Sequence, residues 1–203
     1  MKLYLGNTDI DWYSYLSKIE PEDINFWQPG GHSNFKVLKP GEPYLFRLKQ
    51  PYNAIGGVGF FTSYTKLPIS IAWQTFLNRN GFEAFEDFEN AIQSYRRKNH
   101  SQIEVDPTIG CVVLTNPIFF KKEDWIQVPR DWAHGIVQGK SYSTDDEIGR
   151  NLWTQLESRL VNTNLGTVSN KTKDQLILAE PKPQYGSSIL AKVRLGQGGF
   201  RVL

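Results

Sequence analysis

The chain has 203 residues, of which 39% are hydrophobic and 22% are charged. This composition is typical of a folded domain and excludes a disordered, low-complexity chain. The one cysteine, Cys111, rules out an internal disulfide and a cysteine-rich zinc site. The net charge of +2 leaves the class of partner open, because nucleic-acid binding depends on where the charges lie.

The N-terminal residues and the hydropathy pattern bear on the location of the protein. The first residues turn polar too early for a signal peptide. No apolar run approaches the ~18 residues that a membrane span needs. We therefore expect a cytoplasmic protein with no membrane segment.

The N-terminal third of the sequence predicts strands and one helix. A short strand over residues 2–6 precedes a helix over residues 8–19, where apolar residues recur at helical spacing. Residues 25–34 contain a proline and two glycines, which favours a loop. Residues 44–50 alternate as a strand with one buried face, and a glycine-rich strand over residues 54–64 follows, with a bulge or a close approach at its glycines.

The middle of the chain predicts two helices, over residues 69–79 and 83–97, and two strands, over residues 109–120 and 124–129. Thr144 then opens a capping box that Glu147 closes, ahead of a last helix.

Composition divides the chain into a domain and a tail. Residues 1–161 form the predicted domain, and residues 162–203 are polar, basic and rich in proline and glycine, which is typical of a linker. The predicted fold class is α+β, with a small curved mixed sheet or a partly open β-barrel flanked by helices.

Catalytic motifs are missing from the sequence. His32, His100 and His134 do not form a metal-binding pair, and the chain has neither a phosphate-binding loop nor a nucleophile elbow. Acidic pairs lie at the starts of predicted elements, where capping or a solvated turn explains them. We assign no catalytic residue, cofactor or metal ligand to this chain, although a site assembled from distant residues stays open.

The first candidate binding segment is the predicted loop at residues 25–34. Trp27 offers a ring for stacking, Gln28 and Asn34 offer amides, and Gly30 and His32 add backbone and imidazole donors. A protein that reads a base needs such a set of groups. The alternative is that Trp27 plugs the core beside an ordinary turn.

The second candidate segment is a strand break at Tyr52 and Asn53, beside glycines that clear space for one wall of a base pocket. The alternative is a β-bulge in which Tyr52 covers the edge of the sheet.

The third candidate segment, residues 129–142, combines basic residues with glycines and an aromatic ring. Trp132 could stack on a base or belong to the core. The predicted phosphate contacts are Arg47, Arg130, Gln138 and Lys140.

Several motifs together resemble a known family. The segment KPGEPYLFRLKQPYNAIGGVGFF resembles the hairpin of PUA-like domains, a superfamily that includes the SRA and EVE readers of modified bases. Seven motifs from NFWQPGG to IVQGKSY, within residues 2–160, occur in the same order as in the N-terminal region of HNH-family restriction endonucleases. The tail RLGQGGFRVL resembles the segment that precedes the HNH domain there.

This resemblance implies a PUA-like DNA-recognition domain over residues 1–161, then a basic linker, then an HNH nuclease domain that this chain lacks. The domain would inspect a base, with a flipped, modified cytosine as one candidate. The nuclease domain would hydrolyse DNA with Mg²⁺ or Mn²⁺. Homodimers would suit a nuclease that cuts both strands. The alternatives are an RNA-binding PUA-like module and an enzyme that acts on a nucleotide.

Overall fold

The computed structural model describes residues 1–30, 34–98 and 104–171, with the backbone alone for residues 163–171. The strands in these ranges are β1 (Lys2–Thr8), β2 (Asp23–Gln28), β3 (Pro43–Leu48), β4 (Ala54–Pro68), β5 (Thr108–Phe119), β6 (Ile126–Gln127) and β7 (Gly139–Ser143). The α-helices are α1 (Ile10–Ile19), α2 (Ile69–Phe76), α3 (Phe85–Lys98) and α4 (Glu147–Lys171).

The strands form one open, curved sheet in the order β2-β5-β4-β3-β1-β7, and β6 pairs with β4 beside this path. The pair β1–β3 is parallel and the other pairs are antiparallel, so the sheet is mixed. Register shifts in the pairing of β4 with β3 and β5 mark bulges, which bend and twist a sheet. The predicted α+β class with a curved mixed sheet is confirmed.

The glycines of β4 allow close packing at this bend. A Cβ atom added at Gly57 would lie 2.4 Å from the carbonyl oxygen of Ile118, and one added at Gly56 would lie 2.9 Å from the ring of Tyr13. The predicted bulge and close approach at these glycines are confirmed.

Two cores lie on opposite faces of the sheet, because alternate residues of β1 and β3 point to opposite sides. The aromatic core packs beneath α1 and the aliphatic core beneath α4. The buried residues of the aromatic core are Tyr4, Trp12, Tyr13, Leu16, Ile24, Phe35, Leu38, Tyr44, Phe46, Leu48, Phe61, Val112 and Leu114. Those of the aliphatic core are Leu3, Leu5, Leu45, Ile55, Val58, Phe120, Ile126, Tyr142, Leu152, Leu156 and Leu160.

A third cluster forms where α2 and α3 pack on the sheet near β2 and β5. Its buried residues are Ile69, Ala72, Phe76, Phe88, Ile92, Ile109 and Cys111.

Two sequence-based expectations for this sheet were wrong. Residues 25–28 are not part of a loop, because β2 pairs along its whole length with β5 and ends at Gln28, before Pro29. The strand β3 does not have one exposed face, because all six of its residues are buried between the two cores.

The C-terminal part also departs from expectation. The sequence did not predict β7, which pairs with β1. The capping box is wrong, since α4 begins only at Glu147 and the hydroxyl of Thr144 instead lies 3.0 Å from the N-terminal ammonium group of Met1.

The helix α4 continues to Lys171, ten residues past the predicted domain end. Residues 172–203, with most of the predicted basic linker, lie outside the described residues, so the division at residue 161 stays a prediction. None of the helices in the described ranges combines the length and the apolar character that a membrane crossing requires.

Candidate functional site

A cavity of about 250 Å³, the first cavity, lies at one end of the sheet. It is bounded by the end of β1, the start of α1, the end of β2, side chains of α3 and the loop before β7. Its lining residues are Asn7, Thr8, Asp9, Trp12, Phe26, Trp27, Gln28, Pro29, Gly30, Tyr44, Tyr95, Arg96, Val137 and Gln138. The structure thus brings the predicted residues Trp27, Gln28 and Gly30 together with Gln138 from a distant segment.

Trp27 is both a cavity wall and a packing residue. Its indole nitrogen donates a hydrogen bond to the carbonyl oxygen of Asn80 at 3.1 Å. Its ring meets Phe88 and Tyr95 edge-on, with centroids 6.0 and 6.3 Å away. Trp27 therefore packs on the third cluster, as the core interpretation predicts, and also lines the first cavity, where its role as a stacking ring stays a prediction. The packing fixes the ring plane, and a fixed ring is a good stacking surface.

The amide side chains of Asn7, Gln28 and Gln138 line the first cavity together with the ion-paired side chains of Asp9 and Arg96. The Oε1 atom of Gln28 is buried without a hydrogen-bond partner among the described residues. Buried carbonyl oxygens are nearly always paired with a donor in native structures. This Oε1 atom and the hydroxyl of Tyr64 both lie above Gly110 of β5. The side chain of Gln138, at the rim, is exposed.

The rim formed by residues 136–138 is held by Asn7. The Nδ2 atom of Asn7 donates to the carbonyl oxygens of Ile136 and Val137 at 2.8 and 2.9 Å. Its backbone N–H donates to the carbonyl oxygen of Gln138 at 2.9 Å. This anchoring leaves Val137 81% exposed at the mouth of the cavity.

A second, more open pocket of about 410 Å³ is lined by Tyr52, Asn53, Ala54, Trp125, Ile126, Gln127 and Val128. Tyr52 is 42% exposed, and its ring meets that of Trp125 edge-on at 5.6 Å. Asn53 has a φ of 45°, which turns the chain sharply after β3. The structure therefore separates Tyr52 and Asn53 from Trp27 and Gln28, which line the first cavity.

Arg47 lies between the two pockets. Its Nη1 atom donates to Oδ1 of Asn7 at 2.8 Å, and Nη2 donates to Oδ1 of Asn53. Its guanidinium carbon lies 5.0 Å from the ring centroid of Trp132. The side chain is 8% exposed, its Nε atom is buried without a partner, and burial lowers the pKa of Arg47.

Other cations near the site are neutralised by carboxylates. Lys49 pairs with Asp9 at 2.6 Å, Arg96 with Glu104 at 2.8 Å, and Lys140 with Asp131 at 2.6 Å. Lys140, a predicted phosphate contact, is therefore engaged in an ion pair. Although burial opposes it, the hydrogen bond from Lys140 lowers the pKa of Asp131.

The remaining predicted residues lie apart from the first cavity. Arg130 and Asn34 are exposed and line neither pocket. Trp132 is partly buried against the aliphatic core, beneath Arg47. His32 lies outside the described residues.

Sequence reasoning missed several walls of the first cavity, among them Asn7, Phe26, Tyr44 and Tyr95. An apolar strand that ends in polar residues, as β1 does at Asn7 and Thr8, is a weak signal for a site at the edge of a sheet. Tyr95 lies on the packed face of a helix, where a core role explains it equally well. In the described part of the chain, no group of three or more His, Cys, Asp or Glu side chains could hold a metal ion.

No protein-family model and no curated protein matches the sequence. Among solved structures, ASCH from Zymomonas mobilis has 9% sequence identity and a TM-score of 0.48, over 74% of this chain and 94% of that chain. A tyrosine-to-phenylalanine variant of the same protein has 9% identity and a TM-score of 0.49, over 77% of this chain and 99% of that chain. A likeness at this level says nothing of what this chain binds.

Proposed function

We propose that this chain is a nucleic-acid-binding module of the PUA-like kind, which accepts one unstacked base in the first cavity. The observation that carries the proposal is that residues predicted from separate segments line one cavity. Trp27, Gln28 and Gly30 were predicted from one segment and Gln138 from another, and all four line the same cavity.

The chemistry of the cavity suits a planar, polar-edged ring. Unstacking a base costs a few kcal/mol, and stacking on an aromatic side chain returns roughly 1–3 kcal/mol per base. Trp27 offers a ring that is fixed by its neighbours, and Gln28 and Gln138 offer donors and acceptors for a base edge. A volume of about 250 Å³ suits one small ring system better than a large ligand.

The finer proposal is that the partner is DNA and that the module serves a restriction-type endonuclease. Its support is the ordered set of seven motifs in the sequence. A modified cytosine is the leading candidate for the inspected base. Under this proposal a separate HNH domain holds the Mg²⁺ or Mn²⁺ and hydrolyses the phosphodiester, and this chain supplies binding alone.

Competition binding tests both levels of the proposal. A fluorescent DNA duplex with one mismatched cytosine would be displaced by matched duplexes with plain, methylated or hydroxymethylated cytosine, by single-stranded DNA and by RNA hairpins. We expect the single strand and an unlabelled mismatched duplex to compete better than the plain matched duplex, because an unpaired base costs less to extrude. Under the finer proposal the modified duplexes should also compete better than the plain one.

The results separate the coarse proposal from the fine one. Preference for RNA hairpins would contradict the DNA proposal and leave base binding intact. Failure of every nucleic acid to bind would contradict the function itself. Cleavage of DNA by the 203-residue chain in magnesium would contradict the placement of chemistry in another domain.

A further inference from the structure

Arg47 is a buried cation that forms no ion pair with the described residues. Its side chain is 8% exposed, and its two hydrogen-bond acceptors, on Asn7 and Asn53, are neutral amide oxygens. Burying a charge is costly unless an opposite charge lies close to it. Neighbouring cations such as Lys49, Arg96 and Lys140 each have a carboxylate partner. Within the described ranges, Arg47 therefore lacks the counter-charge that its neighbours have.

Some N–H donors of the Arg47 guanidinium group form no hydrogen bond with the described residues. One N–H of each terminal nitrogen is engaged by an asparagine, and Nε is buried without a partner. The ring of Trp132 at 5.0 Å holds the guanidinium plane in place. An arginine stays protonated when buried, and its planar fork matches the oxygens of a phosphate group. An anion that reached the terminal nitrogens of Arg47 would find this fork already oriented.

The position of Arg47 between the two pockets indicates which anion it would bind. Asn7 lines the first cavity and Asn53 lines the second pocket, and both accept hydrogen bonds from this one guanidinium group. Two successive nucleotides of a strand are joined by one phosphate, so one backbone charge lies between two bases. A phosphate at Arg47 would thus have one base pocket on each side.

We propose that Arg47 anchors a phosphate subsite, which takes the phosphate between the base in the first cavity and the next nucleotide of the same strand. This inference rests on the proposed function. The neighbouring base lies against Tyr52 in the second pocket, where that ring is 42% exposed and the amides of Asn53 and Gln127 line the wall. The module therefore contacts a dinucleotide step, with a stacked base on each side of one neutralised phosphate.

The first test places a single uncharged methylphosphonate at successive positions of a short single-stranded oligonucleotide. We expect roughly a tenfold loss of affinity, or more, at the one linkage that meets Arg47 and smaller losses elsewhere, because charge-assisted hydrogen bonds are the strong ones. Equal losses at all linkages would overturn the proposal. This test uses the unaltered protein, so it stands even where a variant fails to fold.

The second test removes the cation. Arg47→Met keeps an apolar stem of similar length, and Arg47→Lys keeps the charge without the fork. We expect Arg47→Met to reduce the slope of log affinity against log salt by about 0.7, the value for one phosphate of a single strand. Its affinity should also become insensitive to the methylphosphonate at the critical linkage. Arg47→Lys should retain the slope and lose part of the affinity.

The control is Arg150→Met, which removes an exposed cation near the start of α4, where Arg150 bonds to the carbonyl oxygens of Thr144 and Asp145. Its salt slope should equal that of the unaltered protein. A purely structural role for Arg47 would lower stability without changing the salt slope. An unchanged slope in folded Arg47→Met would therefore overturn the phosphate subsite.

Two further experiments identify the ligand. Tyr52→Ala should reduce affinity for the oligonucleotide about tenfold. It should leave unchanged the preference for the base that enters the first cavity. Retention of full affinity in Tyr52→Ala would overturn the second pocket. Displacement of the oligonucleotide by inorganic phosphate at equal concentration would assign Arg47 to a free anion and overturn the linkage model. Absence of any oligonucleotide binding by the unaltered protein would overturn the proposed function as well.

Discussion

The two faces of the sheet are built from different side chains. Seven of the thirteen buried residues in the aromatic core carry rings, against two of the eleven in the aliphatic core. Branched aliphatic side chains interdigitate closely, and α4 seals them with Leu152, Leu156 and Leu160. The rings of the aromatic core meet one another edge-on or at a tilt. The first cavity opens at the end of the sheet where Trp12 and Tyr44 of the aromatic core meet Trp27.

Hydrogen bonds hold the aromatic face in place. The hydroxyl of Tyr13 lies 2.9 and 2.8 Å from the carbonyl oxygens of Gly56 and Phe120, at the bend of the sheet. The comparison teaches that one face supplies stability through close packing, and that the other supplies fixed rings around a cavity. Substitutions on the two faces should therefore separate stability from binding.

The largest expected effect is on the aliphatic face. Leu156 is fully buried, so Leu156→Ala should lower the free energy of unfolding by about 2–5 kcal/mol through lost burial and a cavity. Urea unfolding followed by tryptophan fluorescence measures this. Val161→Ala, on the same helix and 37% exposed, is the control and should change stability much less. Affinity for nucleic acid, expressed per folded molecule, should not change. A loss of affinity in Leu156→Ala would show that the two faces do not separate stability from binding.

The next effect concerns two tryptophans that pack on the third cluster. Trp27→Ala and Trp73→Ala both remove a partly buried ring, and Trp73 packs against Phe85 and Phe88 without lining the first cavity. Both variants should be less stable. Only Trp27→Ala should also weaken binding of the preferred oligonucleotide, by about 1–3 kcal/mol. Titration below the unfolding transition measures this, and equal losses in both variants would assign Trp27 to the core alone.

A smaller effect appears at alkaline pH. Burial raises the pKa of Tyr4 from 10.0 to about 12 and that of Cys111 from 9.0 to about 11. A folded state with raised pKa values binds these protons more tightly, so its stability is full below pH 9 and falls as the pH rises through these values. Urea unfolding between pH 8 and 11.5 should show this fall. Tyr4→Phe should make the fall above pH 10 less steep without removing it, because burial also raises the pKa values of Tyr13, Tyr44, Tyr64 and Tyr142. A profile that this substitution leaves unchanged would show that Tyr4 does not contribute to the fall.

The smallest expected effect is at the rim. The side chain of Gln138 is exposed, and its main chain keeps the bond to Asn7 in any substitution. Gln138→Ala should cost about 0.5–1.5 kcal/mol of affinity, the worth of one hydrogen bond, and leave stability nearly unchanged. Calorimetric titration with the preferred oligonucleotide measures it. No change in affinity would remove Gln138 from the set of base contacts.

Local pattern predicted most helices and the central strands, because apolar residues repeat there with the period of the element. It failed for β2 and β7, which are short edge strands whose pairing depends on distant partners in β5 and β1. It also failed for β3, since sequence alternation does not reveal that a second core covers the polar face that carries Arg47.

The site was predictable only in part, for a similar reason. Trp27 and Gln28 stood out because aromatic and amide side chains flank a proline-glycine turn. Asn7 and Tyr95 did not, because their role depends on the fold bringing the end of β1 beside α3. Arg47 was predicted as a phosphate contact, but the absence of a carboxylate partner among the described residues is a property of the folded chain.

The central claim is that a base enters the first cavity. The chain has six tryptophans, each with an indole N–H signal that nuclear magnetic resonance detects in ¹⁵N-labelled protein. Titration with the preferred oligonucleotide should shift the signals of Trp12 and Trp27, which line the first cavity, and leave that of Trp73 in place. Saturable binding that leaves the Trp12 and Trp27 signals unmoved would contradict the account.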